Sequence, residues 1–197
     1  MASTHGVYAV VYGGFVVQAV ALLIAFILYA RVRWAERLRR RMLEPAPGPT
    51  PRLLAGAGAA AAVLYAVANL AWAAAGESLA APPNFDTAAQ KSLLVSTGLL
   101  ALAGASAVRQ LVHRRSIRRR SESALWWVPL TLAWVGSAST FASGLSQYAL
   151  AADAGRDPAT SLVLALGSIS GVMMGVAALL TIAGPPGRIL RTQVLAR

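Results

Sequence analysis

Cysteine is absent from the 197-residue chain, histidine occurs twice, and charged residues make up only 13% of it. Each shortage removes a class of chemistry. Without Cys there is no disulfide, no thiol redox couple, no thiolate metal site and no S-acylation. His5 and His113 both lie outside the apolar segments. Neither a bis-His haem within a bilayer nor a zinc site can be assembled from them. Acids are scarce, seven against eighteen Lys and Arg, which leaves a net charge of +11. No ionisable residue falls near the middle of an apolar segment, which argues against a proton-coupled transporter or pump, because such machines carry the proton on an embedded carboxylate. Catalytic motifs are missing too. Ser168–Gly171 has a serine but no His after it in the chain to act as base. The sequence therefore predicts no metal, no cofactor and no catalytic residue.

What is present is apolar. Hydrophobic residues reach 57% and the mean hydropathy is +0.59, whereas soluble domains carry about a quarter charged residues. A membrane-crossing helix needs about 20 mostly apolar residues. Five stretches qualify: Val7–Ala30, Leu53–Ala75, Ser92–Val112, Leu125–Leu150 and Thr160–Ala183. The expected fold is all-α, a single integral membrane domain over residues 1–197 with five transmembrane helices. The first apolar run is longer than a signal-peptide core, and its positive charges follow it, so it reads as an uncleaved anchor.

Charge orients the spans. Arg31–Arg52 holds seven Arg, Arg109–Arg120 six, and the tail has Arg188, Arg191 and Arg197. Five crossings put these sixteen on one face, leaving Lys91 and Arg156 on the other. The positive-inside rule then places the N-terminus outside and the C-terminus inside. The basic loops 31–52 and 113–124 become cytoplasmic. Seventeen of the basic residues are Arg, and with the abundance of Ala and Gly this points to a high-GC bacterial genome and its cytoplasmic membrane. Tyr8, Tyr12, Trp72 and Tyr148 fall near the outer boundary and Tyr29, Trp34, Trp126 and Trp127 near the inner one, as an aromatic girdle does. Arg114, Arg115, Arg118, Arg119 and Arg120 thus face anionic headgroups, or an acidic partner. Nucleic acid is not an expected partner, because the loop is too short to hold a reading fold.

Proline punctuates the chain. "PAPGPTP", Pro45–Pro51, stops any helical extension of the first span, and Asp86 or Thr87 is placed to cap the third. Uncharged polar residues collect in the half of the spans read as outer. Ser137, Thr140, Gly144 and Gln147 share one helix face, with Asn69 and Ser96 at similar depth and Gln18 near the middle of the first span. Two readings stand. Asn69, Thr140, Gln147, Gln18 and Ser96 either hydrogen-bond across helices and hold the bundle together, or line a small polar cavity that takes a ligand.

Small residues form the clearest pattern. "GSISGVMMG" spaces Gly167, Gly171 and Gly175 four apart on one face, where missing side chains let another backbone approach. Gly136, Thr140 and Gly144 repeat the spacing, and Ala55, Ala59, Ala62 and Ala66 give the second span a small face as well. Tight packing of the second, fourth and fifth spans follows, with a homodimer face as the alternative.

"YAVANLAWAAAGESLAAPPNFD", Tyr65–Asp86, and "LAWVGSASTFASGLSQYAL", Leu132–Leu150, with "WWVP" just before it, resemble small multi-pass membrane proteins of high-GC bacteria that carry no assigned function. The resemblance spans about half the chain and implies a helical bundle without specifying an activity. The leading functional expectation is a non-enzymatic accessory or scaffold subunit, with membrane lipids and another membrane protein or a second copy as partners. A small permease or binding protein for a neutral or lipid-like ligand is the alternative. A membrane enzyme using Glu77 or Asp86 on a lipidic substrate is the third.

Overall fold

The computed structural model describes residues 17–18, 20–30, 32–33, 36, 48–75, 87–113, 127–150 and 158–183. They form five helices and, among the described residues, no strand. The chain divides into two units, Met1–Arg40 and Arg41–Arg197. The first contributes helix α1, Val20–Ala30, an apolar rod. The second contributes α2 (Pro49–Ala75), α3 (Ala88–His113), α4 (Val128–Leu150) and α5 (Pro158–Ala183).

Each helix of the second unit has a local reason to start where it does. Pro49 and Pro51 occupy the first turn of α2, Pro129 that of α4, and Pro158 opens α5. The first turn tolerates Pro because its N–H groups have no intrahelical acceptor and its φ already suits a helix. The end of the proline-rich stretch therefore begins α2, four residues before the predicted span. The start of α3 uses side chains instead. Gln90 N donates to Thr87 Oγ1 (3.3 Å), and Thr87 N donates back to Gln90 Oε1 (2.9 Å). This reciprocal box satisfies two donors that the first turn leaves open. Of the two caps the sequence offers, Thr87 serves; Asp86 lies outside the described residues.

The four helices pack in a ring, α2 beside α3, α3 beside α4, α4 beside α5 and α5 beside α2. Neighbours run antiparallel. One layer of the core gathers Ala55, Ala59 and Ala62 from the start of α2, Val108, Leu111 and Val112 from the end of α3, Ala133 from the start of α4, and Met174, Ala177 and Ala178 from the end of α5. A second layer holds Tyr65, Ala66 and Trp72 with Leu94, Ala101 and Leu164. The predicted alanine face of α2 is thus the buried one. Trp72 belongs to the same interior, turned inward from the boundary girdle.

Polarity is inverted relative to a water-soluble bundle. Leu53, Leu64, Val67, Leu99, Leu162 and Ile169 are among the large apolar side chains facing out, while Asn69, Thr97, Thr140, Gln147, Ser170 and Thr181 are buried. Water would not support that exposure, whereas hydrocarbon does. Three helices, α2, α3 and α5, are long and apolar enough to cross a membrane. The sequence expects five crossings. α4 is diluted by Ser137, Ser139, Ser143, Ser146 and Gln147, and the apolar run of α1 is shorter among the described residues.

Candidate functional site

Glycine sets the distances on which everything else depends. A Cβ built on Gly104 of α3 would come within 2.9 Å of Gly136 Cα on α4, and one on Gly136 would collide with Gly104 Cα. Between α4 and α5, a Cβ on Gly144 would lie 2.5 Å from Ser168 N, and one on Gly171 2.5 Å from Phe141 N and 2.6 Å from Ser137 O. These helices touch through their main chains. Gly175 is looser, since its nearest neighbour would be Ser137 Oγ at 3.6 Å. Gly167 and Gly171 are buried, and what covers them is α2 and α4 of the same chain. α3 takes part through Gly104, a contact absent from the predicted trio of the second, fourth and fifth spans.

Gly167 meets something different. A Cβ there would stand 2.7–2.9 Å from the ring of Tyr65. The missing side chain gives the ring room to lie against α5 and carry its hydroxyl to α4. There Tyr65 Oη lies 3.3 Å from Ser143 Oγ and 3.4 Å from Gln147 Oε1. A phenol has one proton, and both distances are long for an O–H donor. Ser143 uses its own proton on Ser139 O at 2.6 Å, so it accepts from Tyr65. One turn along α2, Asn69 donates from Nδ2 to Tyr65 O at 2.8 Å. Its side chain also neighbours the Tyr65 hydroxyl.

Tyr65 and Asn69 are fully buried and Gln147 is 4% exposed. Two atoms of this nest have no hydrogen-bond partner, Asn69 Oδ1 and Gln147 Nε2. The orientation of Asn69 follows from chemistry, because a carbonyl can only be met by the amide NH2. Oδ1 is therefore the free end. For Gln147 either orientation leaves one end of the amide unused.

The remaining predicted residues are placed as follows. Thr140 is fully buried, yet its hydroxyl donates to Gly136 O of its own helix at 2.6 Å. Ser170 and Thr181 do likewise, to Gly167 O and Ala177 O. Hydroxyls of Ser and Thr readily back-bond within a helix, so these bonds hold local geometry, whereas Tyr65 bonds across to α4. Ser96 is exposed and bonds Leu93 O; its neighbour Thr97 is the buried one. Gln18 is exposed on the first unit. Arg114, Arg115, Arg118, Arg119 and Arg120, with Glu77 and Asp86, lie outside the described residues. Among the described residues no group of three or more His, Cys, Asp or Glu could hold a metal ion.

Sequence reasoning missed Tyr65. A signal existed: it is an aromatic residue among the alanines of α2's inner face, one turn before Asn69. No family model, curated protein or solved structure matches the chain.

Proposed function

We propose that this protein is a five-span integral membrane protein of a bacterial cytoplasmic membrane, N-terminus out and C-terminus in, acting as a non-enzymatic accessory or scaffold subunit. The main-chain contact of α3, α4 and α5 through Gly104, Gly136, Gly144 and Gly171 carries this reading. Helices that close make a stiff unit, because shape rather than side-chain flexibility sets their separation. The outward Leu and Val then offer lipid, or a neighbouring membrane protein, an apolar wall. Arginines 114–120 supply a cytoplasmic surface, each cation adding about 1 kcal/mol of attraction to anionic headgroups.

The absence of natural Cys makes the topology directly testable. Single variants Thr4→Cys and Ser78→Cys should react with a membrane-impermeant maleimide on intact cells stripped of their outer barrier. Ser116→Cys and Thr192→Cys should react only after permeabilisation. Labelling of Ser116→Cys from outside would refute the orientation. Native mass spectrometry after mild extraction tests the subunit role: a stoichiometric second protein is expected, and a chain that always emerges alone removes the role.

A further inference from the structure

We propose that the nest of Tyr65, Asn69, Ser143 and Gln147 is a binding site for neutral hydroxyl groups, supplied either by water or by the uncharged headgroup of a lipid. This goes beyond the scaffold reading and does not depend on it.

Three observations converge. First, two buried amide atoms are left without a partner: Asn69 Oδ1 needs a donor, and the unused end of the Gln147 amide needs a donor or an acceptor according to its orientation. An uncompensated buried polar atom carries its whole desolvation penalty, so native interiors nearly always pair such groups. A hydroxyl donates and accepts with a single oxygen, so one chemical class answers both demands. Second, the buried polar side chains of the described bundle are Asn, Gln, Ser and Thr. A bound ion would lack a counter-charge there, and charge without a partner is costly in an apolar interior. The occupant is therefore neutral. Third, the nest is built across three helices. Gly167 of α5 admits the Tyr65 ring, α2 supplies Tyr65 and Asn69, and α4 supplies Ser143 and Gln147. Ser143 is only partly buried and its neighbour Ser146 is exposed. That serine edge of α4 is the polar margin by which a hydroxyl reaches the interior.

The test exploits the sign of a substitution. Gln147→Met keeps length and volume and deletes both polar atoms of the amide. The substitution is made in a Tyr65→Phe background, which has already lost the Tyr65–Gln147 bond. If nothing meets the Gln147 amide there, deleting it removes a penalty, and the double variant melts at or above Tyr65→Phe. If a hydroxyl meets it, the double variant loses that bond and melts below Tyr65→Phe, by about 3 °C or more for a chain of this size. The full-length chain is used in lauryldimethylamine oxide, a detergent without hydroxyl groups, with melting followed by tryptophan fluorescence. Should Gln147→Met fail to fold, Gln147→Leu, which also lacks polar side-chain atoms, asks the same question in the same background. Monoolein, a neutral diol lipid, and methyl oleate, which has no hydroxyl, then separate the sources. A rise of about 3 °C with monoolein, absent with methyl oleate and in Gln147→Met, identifies a lipid headgroup. A drop on adding Gln147→Met to Tyr65→Phe, with no response to monoolein, identifies water. Melting of the Tyr65→Phe, Gln147→Met double variant at or above Tyr65→Phe in every condition overturns the proposal.

Discussion

Adding one methyl group to Gly136 tests the packing logic at its tightest point. The new Cβ would collide with Gly104 Cα, and Gly104 N and Leu100 O lie 2.8 and 2.9 Å away. All three atoms belong to main chain, so no side chain can swing aside. Carbon atoms rest about 3.5–4.0 Å apart, so α3 and α4 must separate by roughly 1 Å, loosening contacts along their length. Overpacking of this kind costs about 1–3 kcal/mol. Alanine returns about 1 kcal/mol through its better helix propensity. The net expectation is a loss of up to about 2 kcal/mol, or up to roughly 4–8 °C in melting temperature for a chain of this size. Gly56 is the internal control. It sits on the exposed side of α2, and a Cβ there would meet nothing within 4 Å. Gly56→Ala keeps only the propensity gain and should melt about 2–4 °C higher. Thermal unfolding in bicelles, followed by the five tryptophans, reads both variants. If Gly136→Ala proves as stable as Gly56→Ala, α3 and α4 are not in main-chain contact and the packing argument fails.

Two further outcomes follow from other contacts. Thr87→Ala removes the hydroxyl half of the capping box and should destabilise by about 1 kcal/mol; amide exchange concentrated in the first turn of α3 is the sign to seek, and unchanged exchange there refutes the cap. Gly167→Ala should drive its methyl into the Tyr65 ring, and Tyr65→Leu in the same chain should recover most of the loss. A double-mutant cycle measures this coupling, and strict additivity would show that the two residues do not meet.

How far the sequence revealed this arrangement can be judged residue by residue. A period near 3.6 marks one face of a helix, so the buried stripe Ala55, Ala59, Ala62, Ala66 and the inner face Ser137, Thr140, Gly144, Gln147 were legible. Gly136 and Gly171 were legible as points of close approach. Their partners were not, since spacing says which face is small and never which helix lies against it. Gly104 on α3 and the Tyr65 ring against Gly167 come only from the fold. Ser96 illustrates the resolution of the method: a rotation of one residue separates it, facing out, from Thr97, facing in. Composition alone could not order the two uses of a polar group, bonding its own helix or crossing to another, because both need the same residue types.

The hydroxyls of Ser137, Thr140, Ser170 and Thr181 find their acceptors one turn back in their own helices, and so are content as soon as each helix has formed. Tyr65 and Gln147 differ, because the bond between them joins α2 to α4 and exists only once both are in place. The chain therefore separates what must be satisfied at birth from what can wait. Individual helices can form without leaving these four hydroxyls unmet, and Tyr65 and Gln147 give α2 and α4 a polar reason to find one another. The nest is thus a latch, a polar contact that exists only when α2 and α4 lie together.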